Sequence, residues 1–546
     1  MLKYLDHLFE KIEETPLTLH AWALALTAII GVRIAIELFF ENITFRYGDH
    51  FFYQFLHHYL TFLSIYLTAL PLVVWFAKVS IKKAALILLF GFMVIWTPPI
   101  VDEILSKGQG FWSFYSFDSL PGLAERYLTF FGDKPDVGIT YGVRTEIGLV
   151  LTLMTVYVFV RTRSWLRTLL GALSLYTVLF IIGVFPSLVT VLLLGPEKGW
   201  LGVTELDVAR IMLSPEPLYL LNPPAVSVVL AIKMGLVYAL FIPPLVTLLL
   251  WTFFRPTLTA LWNNLRLPQV IYHIGLFILG IATVLLYEEK TGFVLNWMHG
   301  AGLILMVISV ILAWTTSVIV NDLNDVPIDS ITNTHRPLIT NAISPDTYRT
   351  IGVIMFVFSL LYAGYISTQL AFLLALYQAI AWLYSAPPLR LKRFPGIATL
   401  LAASASMLVF FGGYIVFSPN KNISELPWSI SALLFFAYCT LLPIKDFKDI
   451  PGDAKDGVTT LPILWGEVKA KRIIGSLAFL CFIVSVFIFD VRHLFPLAFF
   501  FGSLAYWLLQ MSSATHRYFS YHRLAGWYIA LVSSYVAFLA FHFFTR

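Results

Sequence analysis

Cysteine, charge and long polar stretches are all scarce in this chain. Its 546 residues include two cysteines, Cys439 and Cys481. Both fall in apolar segments, so no disulfide or thiolate metal framework is expected and the two read as packing residues. Charged side chains make up 12% of the sequence and hydrophobic ones 59%. The mean hydropathy of +0.82 lies outside the soluble globular range. The net charge is only +5, and the basic residues are spread over many short loops. A nucleic-acid partner is therefore not expected. No stretch remains for a large soluble domain, and the chain reads as an all-α polytopic membrane protein whose surroundings are the lipid bilayer.

A spanning helix needs roughly 20 apolar residues, and about fifteen such segments can be placed. Six lie near 17–40, 55–77, 84–100, 146–160, 166–194 and 225–253. Nine more lie near 268–287, 297–320, 347–367, 369–386, 396–417, 427–444, 473–489, 494–510 and 525–544. The stretch 254–267, with Arg255, Pro256 and Arg266, is the natural linker, dividing the chain into 1–254 and 265–546. The amphipathic start, Met1 to Glu14, does not resemble a cleavable signal peptide.

Short cytoplasmic loops are richer in Lys and Arg than outer ones. Threading the second half puts Arg255, Arg266, Arg336, Arg349, Arg390, Lys392, Arg393, Lys445, Lys448, Lys455, Lys469, Lys471, Arg472, Arg517 and Arg523 on one face, with Lys290, Lys421, Arg492 and Arg546 opposite. The same alternation carried backwards puts Lys3, Lys78, Lys82 and Arg161 on the basic face. The N-terminus and the acidic motifs below are thus predicted to be cytoplasmic. The outer loops near 101–145 and 195–224 are long enough to form ordered caps.

Two stretches repeat one pattern. Asn321-Asp322-Leu323-Asn324-Asp325-Val326-Pro327-Ile328-Asp329 follows the apolar run 297–320, and Asp446-Phe447-Lys448-Asp449-Ile450-Pro451-Gly452-Asp453 follows 427–444. Residues at i, i+3 and i+7 share a helix face, and the proline in each copy bends or ends the helix between the acids. Three carboxylates on one face repel one another until a cation neutralises them, and carboxylate oxygens suit magnesium. Magnesium shares its remaining positions with water and substrate phosphates, so two such faces read as a diphosphate clamp. An apolar tail on the substrate can stay among the helices.

These motifs resemble the signatures of the UbiA superfamily of intramembrane prenyltransferases over roughly residues 265–546. His335-Arg336-Pro337-Leu338, the run Tyr384 to Lys392 and Gly457-Val458-Thr459-Thr460-Leu461-Pro462 fit it as well. The resemblance implies a nine-helix bundle, here preceded by about six further transmembrane helices, with Mg2+ bridging both motifs to a polyprenyl diphosphate. Asn321, Asp322, Asp325 and Asp329 would bind one metal centre and Asp446, Asp449 and Asp453 the other. Arg336, Arg390 and Lys392 would hold the diphosphate, with Asn321 beside it. Asp322, Asp325 and Asp449 would be catalytic through the metals. Tyr384 would orient a membrane-associated acceptor, aromatic or lipid-like, or face the allylic cation with its ring. Competing readings are phosphoribosyl transfer to a polyprenyl phosphate, and a lipid carrier or transporter without catalysis.

Residues 1–253 match no family by sequence pattern. Charges inside the bilayer are costly and often functional. Arg33 and Glu37 are expected to pair four residues apart, and Lys233 to snorkel or face a cavity. Asp49, His50, His57 and His58 cluster at the outer ends of the first two helices, and Asp102 and Glu103 mark another helix end. Asn42-Ile43-Thr44 and Asn422-Ile423-Ser424 are glycosylation-type patterns without further support.

Overall fold

A computed structural model describes residues 2–41, 51–106, 115–132, 139–214, 226–287, 296–418, 422–455 and 457–544. Asn42-Ile43-Thr44, Asp49, His50, Lys290 and Lys421 lie outside them. Helices account for nearly all of the regular structure, with no β-strand among the described residues. Fourteen helical segments there are long and apolar enough to cross a membrane. The protein is an integral, multi-pass membrane protein. It divides into two compact units, Met1–Arg255 with Trp297–Ala301, and Pro256–Asn296 with Gly302–Arg546.

The first unit contains α1 (Leu2–Glu13), α2 (Leu19–Glu41), α3 (Phe51–Ala77), α4 (Ile81–Phe92), α5 (Thr97–Ser106), α6 (Leu120–Leu128), α7 (Tyr141–Thr162), α8 (Trp165–Gly183), α9 (Phe185–Lys198), α10 (Glu205–Leu213) and α11 (Val226–Phe253). The span expected near 166–194 is two helices. Val184 breaks it, and Pro186, which lacks an amide donor, is tolerated only because it opens α9. α3 is central and packs against α11, α8, α7 and α4. The amphipathic α1 is tied down by Glu13, whose carboxylate accepts from Tyr157 Oη at 2.9 Å and Arg161 Nε at 2.7 Å.

The intramembrane charges of this unit are largely structural. Arg33 and Glu37 pair at 2.6 Å, as their spacing predicts. Lys233 neither snorkels nor faces solvent. It is fully buried and donates to the carbonyls of Ile211 (2.6 Å) and Ser214 (3.0 Å), satisfying the C-terminal end of α10. Asp102 accepts from Gly142 N at 2.8 Å and Thr140 Oγ1 at 2.6 Å, so it fastens the start of α7. His57 Nε2 lies 2.7 Å from Tyr115 Oη, and His58 Nδ1 lies 3.6 Å from Glu37. In the described part of the 101–145 loop, α6 and Phe131 cover Tyr176 and Phe180.

The second unit contains α12 (Arg255–Asn263), α13 (Leu267–Tyr287), α14 (Trp297–Asn324), α15 (Val326–Thr332), α16 (Pro345–Ile366), α17 (Thr368–Ser385), α18 (Ile397–Phe417), α19 (Trp428–Leu441), α20 (Ile450–Lys455), α21 (Leu461–Trp465), α22 (Glu467–Ile488), α23 (Phe495–Met511) and α24 (Tyr521–Phe544). Packing runs from α13 to α18, α19, α22, α23 and α24 and back to α13, with α17 against α18 and α16 against α17. α14 joins through Ser309 Oγ to the Ser359 carbonyl (2.6 Å) and Gln378 Nε2 to the Ala313 carbonyl (2.5 Å). α17 is not among the fourteen membrane-length apolar segments. It carries Gln378 and Tyr377 toward polar partners inside the bundle, while Phe372 and Trp382 are exposed on its other side. Cys439 and Cys481 are free.

Candidate active site

Each acidic motif is a broken helix end. In the first, Asn321 and Asp322 occupy the last turn of α14, and Asp325 sits at the break with φ −111° and ψ 14°. Pro327 needs no donor in the first turn of α15, which carries Asp329, whose amide bonds the Asp325 carbonyl at 2.8 Å. The second motif repeats this design. A 3₁₀ turn, Leu442–Lys448, carries Asp446, Asp449 caps it, and α20 opens with Ile450-Pro451 and carries Asp453. The Asp453 amide bonds the Asp449 carbonyl at 2.9 Å. α15 packs on α20, which brings the two motifs together at one end of the bundle.

The two sets of carboxylates have different surroundings. Asp322 is 1% exposed. One oxygen accepts from Arg266 Nη2 at 2.7 Å and from Arg336 Nη1, and the other from Asn264 Nδ2 at 2.6 Å and Tyr348 Oη at 3.0 Å. Those four donors fill the roughly four lone-pair sites of a carboxylate. Asp325 accepts from Arg390 Nη2 at 3.0 Å and from Lys392 Nζ. Asp329 pairs with Arg336 at 3.1 Å and accepts from Asn333 at 3.0 Å. Asn321 Oδ1 accepts from Ser385 Oγ at 3.0 Å. Asp446, Asp449 and Asp453 are only partly buried, and the ion pair among them joins Asp449 to Lys448 at 4.0 Å.

Burial and, after it, neighbouring charges shift the groups of this site. Burial first, then the Asp449 and Asp446 carboxylates, push Asp453 up to about 7, with Lys392 opposing and Asp325 adding to the rise. Burial likewise pushes Asp329 up to about 6 against the pull of Arg336. Burial lowers Lys392, and the Asp325 charge works against that shift. Burial and then the Arg336 and Lys448 charges lower His335. Acids and bases from both motifs thus act on one another across a short distance.

Of the residues predicted from sequence, Asp322, Arg336 and Asp329 form one polar group, Asp325, Arg390 and Lys392 a second, and Asn321 pairs with Ser385, all on neighbouring turns that Asp446, Asp449 and Asp453 adjoin. Tyr384 is beside them, its ring face 5.4 Å from Lys445 Nζ. That ring already meets a cation from the protein. Sequence reading missed Arg266, Asn264 and Tyr348 as partners of Asp322, and Lys445 as a site cation. Arg266 appears there only as a linker charge, and nothing in one sequence connects it to a residue 56 positions on.

Among the described residues no three acidic, histidine or cysteine side chains are already arranged to hold a metal ion. The donor set nevertheless fits magnesium. Asp446, Asp449 and Asp453 offer hard oxygens with fewer direct ion pairs than the first motif, and the burial and neighbouring carboxylates that raise Asp453 both penalise its bare charge, which a cation would offset. Magnesium sites of this kind take one or two carboxylates and complete themselves with water and phosphate.

Fold and site define an integral membrane protein of the helical-bundle class with twinned acidic turns beside a basic cluster. Residues 277–541, in the C-terminal half of the chain, match the UbiA prenyltransferase family. The chain is similar to a digeranylgeranylglyceryl phosphate synthase from Sulfurisphaera tokodaii, 29% identical over 36% of this chain and 70% of that protein. It is also similar to the bacteriochlorophyll synthase 34 kDa chain of Chloroflexus aurantiacus, 29% identical over 34% of this chain and 57% of that one. Chlorophyll synthase of Arabidopsis thaliana is 31% identical over 28% and 41%. A solved UbiA homolog from Archaeoglobus fulgidus bound to GPP and Mg2+ aligns with a TM-score of 0.41 and 19% identity, covering 53% of this chain and all of that chain.

Proposed function

We propose that residues 265–546 transfer a prenyl group from a prenyl diphosphate to an acceptor held in the membrane, with magnesium at the twinned acidic turns. The observation that carries this reading is the packing of α15 on α20, which puts two carboxylate sets and a cluster of cations at the end of one apolar bundle. Six carboxylates (Asp322, Asp325, Asp329, Asp446, Asp449, Asp453) stand among six cations (Arg266, Arg336, Arg390, Lys392, Lys445, Lys448). A near-neutral site of this kind accepts a diphosphate only together with added positive charge.

Asp446, Asp449 and Asp453 on one turn, and Asn321, Asp325 and Asp329 on the other, are the ligands this reading assigns. The four-residue spacing of Asn321, Asp325 and Asp329 follows one side of the broken helix. Asp322 has its lone pairs filled, so its part is to hold Arg266 and Arg336 in place. Arg336, Arg390 and Lys392 exchange carboxylate partners for diphosphate oxygens. Magnesium, when bound, supplies positive charge that stabilises the leaving diphosphate. Departure of that group leaves cation character on the allylic carbon, which the Tyr384 ring and the apolar core shield from water until the acceptor attacks.

The test is direct. Purified full-length protein given labelled geranylgeranyl diphosphate, magnesium and a lipid extract as acceptor source is expected to release pyrophosphate and form a prenylated product of defined mass. Excess EDTA is expected to stop both. Pyrophosphate release undiminished by EDTA refutes the metal assignment, and no release with magnesium refutes the transfer reading.

A further inference from the structure

Inside the bundle, α13, α14, α17 and α19 gather polar side chains that the diphosphate site does not use. His273 Nδ1 lies 2.7 Å from the Gln269 carbonyl. A carbonyl only accepts, so Nδ1 carries the proton and Nε2 keeps its lone pair. Nε2 lies 3.1 Å from Tyr377 Oη, and the phenol therefore donates to it. The Trp314 ring holds the imidazole in place at a centroid distance of 4.4 Å. With its hydrogen directed at His273, Tyr377 Oη has lone pairs to offer, and it lies 3.5 Å from Ser317 Oγ, one helical turn before Asn321. The patch therefore adjoins the first acidic motif.

A further observation indicates that this patch receives a polar molecule. The Tyr438 hydroxyl is buried and has no hydrogen-bond partner, although its ring packs edge-on against Tyr272 beside His273. A buried hydroxyl left unfilled is costly, and a polar ligand removes that cost. The groups facing His273 are Tyr377 from α17, Trp314 from α14 and Tyr272 on its own helix.

Building on the prenyl-transfer reading, we propose that Tyr377 and His273 form a relay for the acceptor's proton, and hence that the acceptor is a hydroxyl compound, an alcohol or phenol, and not a carboxylate. The bond between the allylic carbon and the diphosphate oxygen breaks, and its electron pair leaves with the diphosphate. The acceptor oxygen bonds the allylic carbon through a lone pair. Its proton passes to Tyr377 Oη as the Tyr377 proton passes to His273 Nε2, giving an imidazolium. Reversal of the two transfers hands the proton to the departing diphosphate and resets the pair. A carboxylate acceptor arrives without a proton and gives the relay nothing to do.

The experiment uses the purified full chain with magnesium and geranylgeranyl diphosphate carrying ¹⁸O at the bridging position. Scrambling of the label without acceptor reports breakage of the carbon–oxygen bond. Product formation is followed separately with hexadecanol, 4-hexadecylphenol and hexadecanoate. Wild type is expected to scramble the label and to prenylate the alcohol or the phenol but not the carboxylate. In His273→Gln and Tyr377→Phe, scrambling persists while transfer falls about 10² to 10⁴-fold, the range of general base catalysis. That loss shrinks when a more acidic fluorinated phenol replaces the simple one, a response that a packing defect does not produce. Preferred transfer to the carboxylate, transfer to none of the three despite scrambling, or equal loss of scrambling and transfer in both folded variants overturns the relay. Absence of scrambling in wild type instead overturns the prenyl-transfer reading on which it rests.

Discussion

Asp322 and Asp446 open equivalent copies of one repeated motif and occupy opposite environments. Asp322 is buried under four donors, two of them guanidinium groups, whereas Asp446 is half-buried in an acidic cluster. Removing one partner of a buried ion pair leaves an uncompensated charge and costs about 3–5 kcal/mol. Asp322→Ala is therefore expected to destabilise the protein by about that amount, read as a lowered denaturation midpoint in detergent, because Arg266 and Arg336 lose their shared counter-ion. Asp449→Asn is expected to abolish transfer while leaving the midpoint within the small range typical of surface changes, about 0.5 kcal/mol. The acidic repeat was legible in the sequence because its spacing is local. The division of labour within it was not, since that depends on Arg266, Asn264 and Tyr348, which the fold brings in from distant positions.

The raised carboxyls also set a pH dependence. Asp453 titrates at about 7 in the folded protein against 3.8 ordinarily, so the folded state holds its proton more tightly than the unfolded chain does. The sign follows from linkage: this contribution is complete below about pH 3.8 and is lost as pH rises through about 7. Metal-free protein is accordingly expected to melt at a falling temperature between those limits. Added magnesium competes with protons for the same oxygens, so it should raise the melting temperature most near pH 8 and least near pH 5. Asp453→Asn should flatten both responses, and an unchanged pH slope in that variant would rule against the assignment.

Among the elements, α13 and α18 cross at a contact that depends on glycine. A Cβ at Gly413 would stand 1.9 Å from the Phe277 carbonyl oxygen, and one at Gly280 would stand 2.1 Å from that of Phe410. Both obstructions are backbone, which cannot swing aside. Small residues permit this approach, and it lets van der Waals packing replace the hydrophobic drive that lipid does not supply. Gly413→Ala is expected to cost about 1–3 kcal/mol or more in thermal unfolding, whereas Gly275→Ala, whose new Cβ meets nothing within 4 Å, should not destabilise. Sequence alone gives no reason to separate Gly413 from Gly275, because both are glycines in apolar runs. Helix ends were easier to read. Pro327 and Pro451 mark the breaks in both motifs, but the break at Val184 was missed because the apolar run continues across it and hides the signal of Pro186.

Across the whole molecule, the alternation of charge makes a statement about sidedness that neither the motifs nor the packing contains. The basic loops of the second half fall on one predicted face together with Arg393 and Lys455, while the connection carrying Ser424 falls opposite. α18 runs from Ile397 to Phe417, between Arg393 and Ser424, and its 21 residues of 1.5 Å rise give the length of the hydrocarbon core. The two positions must then lie on opposite surfaces if α18 spans. In a background where Cys439 and Cys481 are replaced by serine and alanine, Arg393→Cys and Lys455→Cys are expected to react with a membrane-impermeant maleimide only when the cytoplasmic face is open to it. Ser424→Cys should react only from the other side. Lys455 is the informative partner, because it lies beyond α19 at the second acidic turn. Its agreement with Arg393 would put both halves of the proposed diphosphate site on the cytoplasmic surface, where a soluble diphosphate headgroup can reach it. Labelling of Arg393→Cys and Ser424→Cys from the same side would mean that α18 does not cross, and the predicted sidedness of both motifs would fall with it.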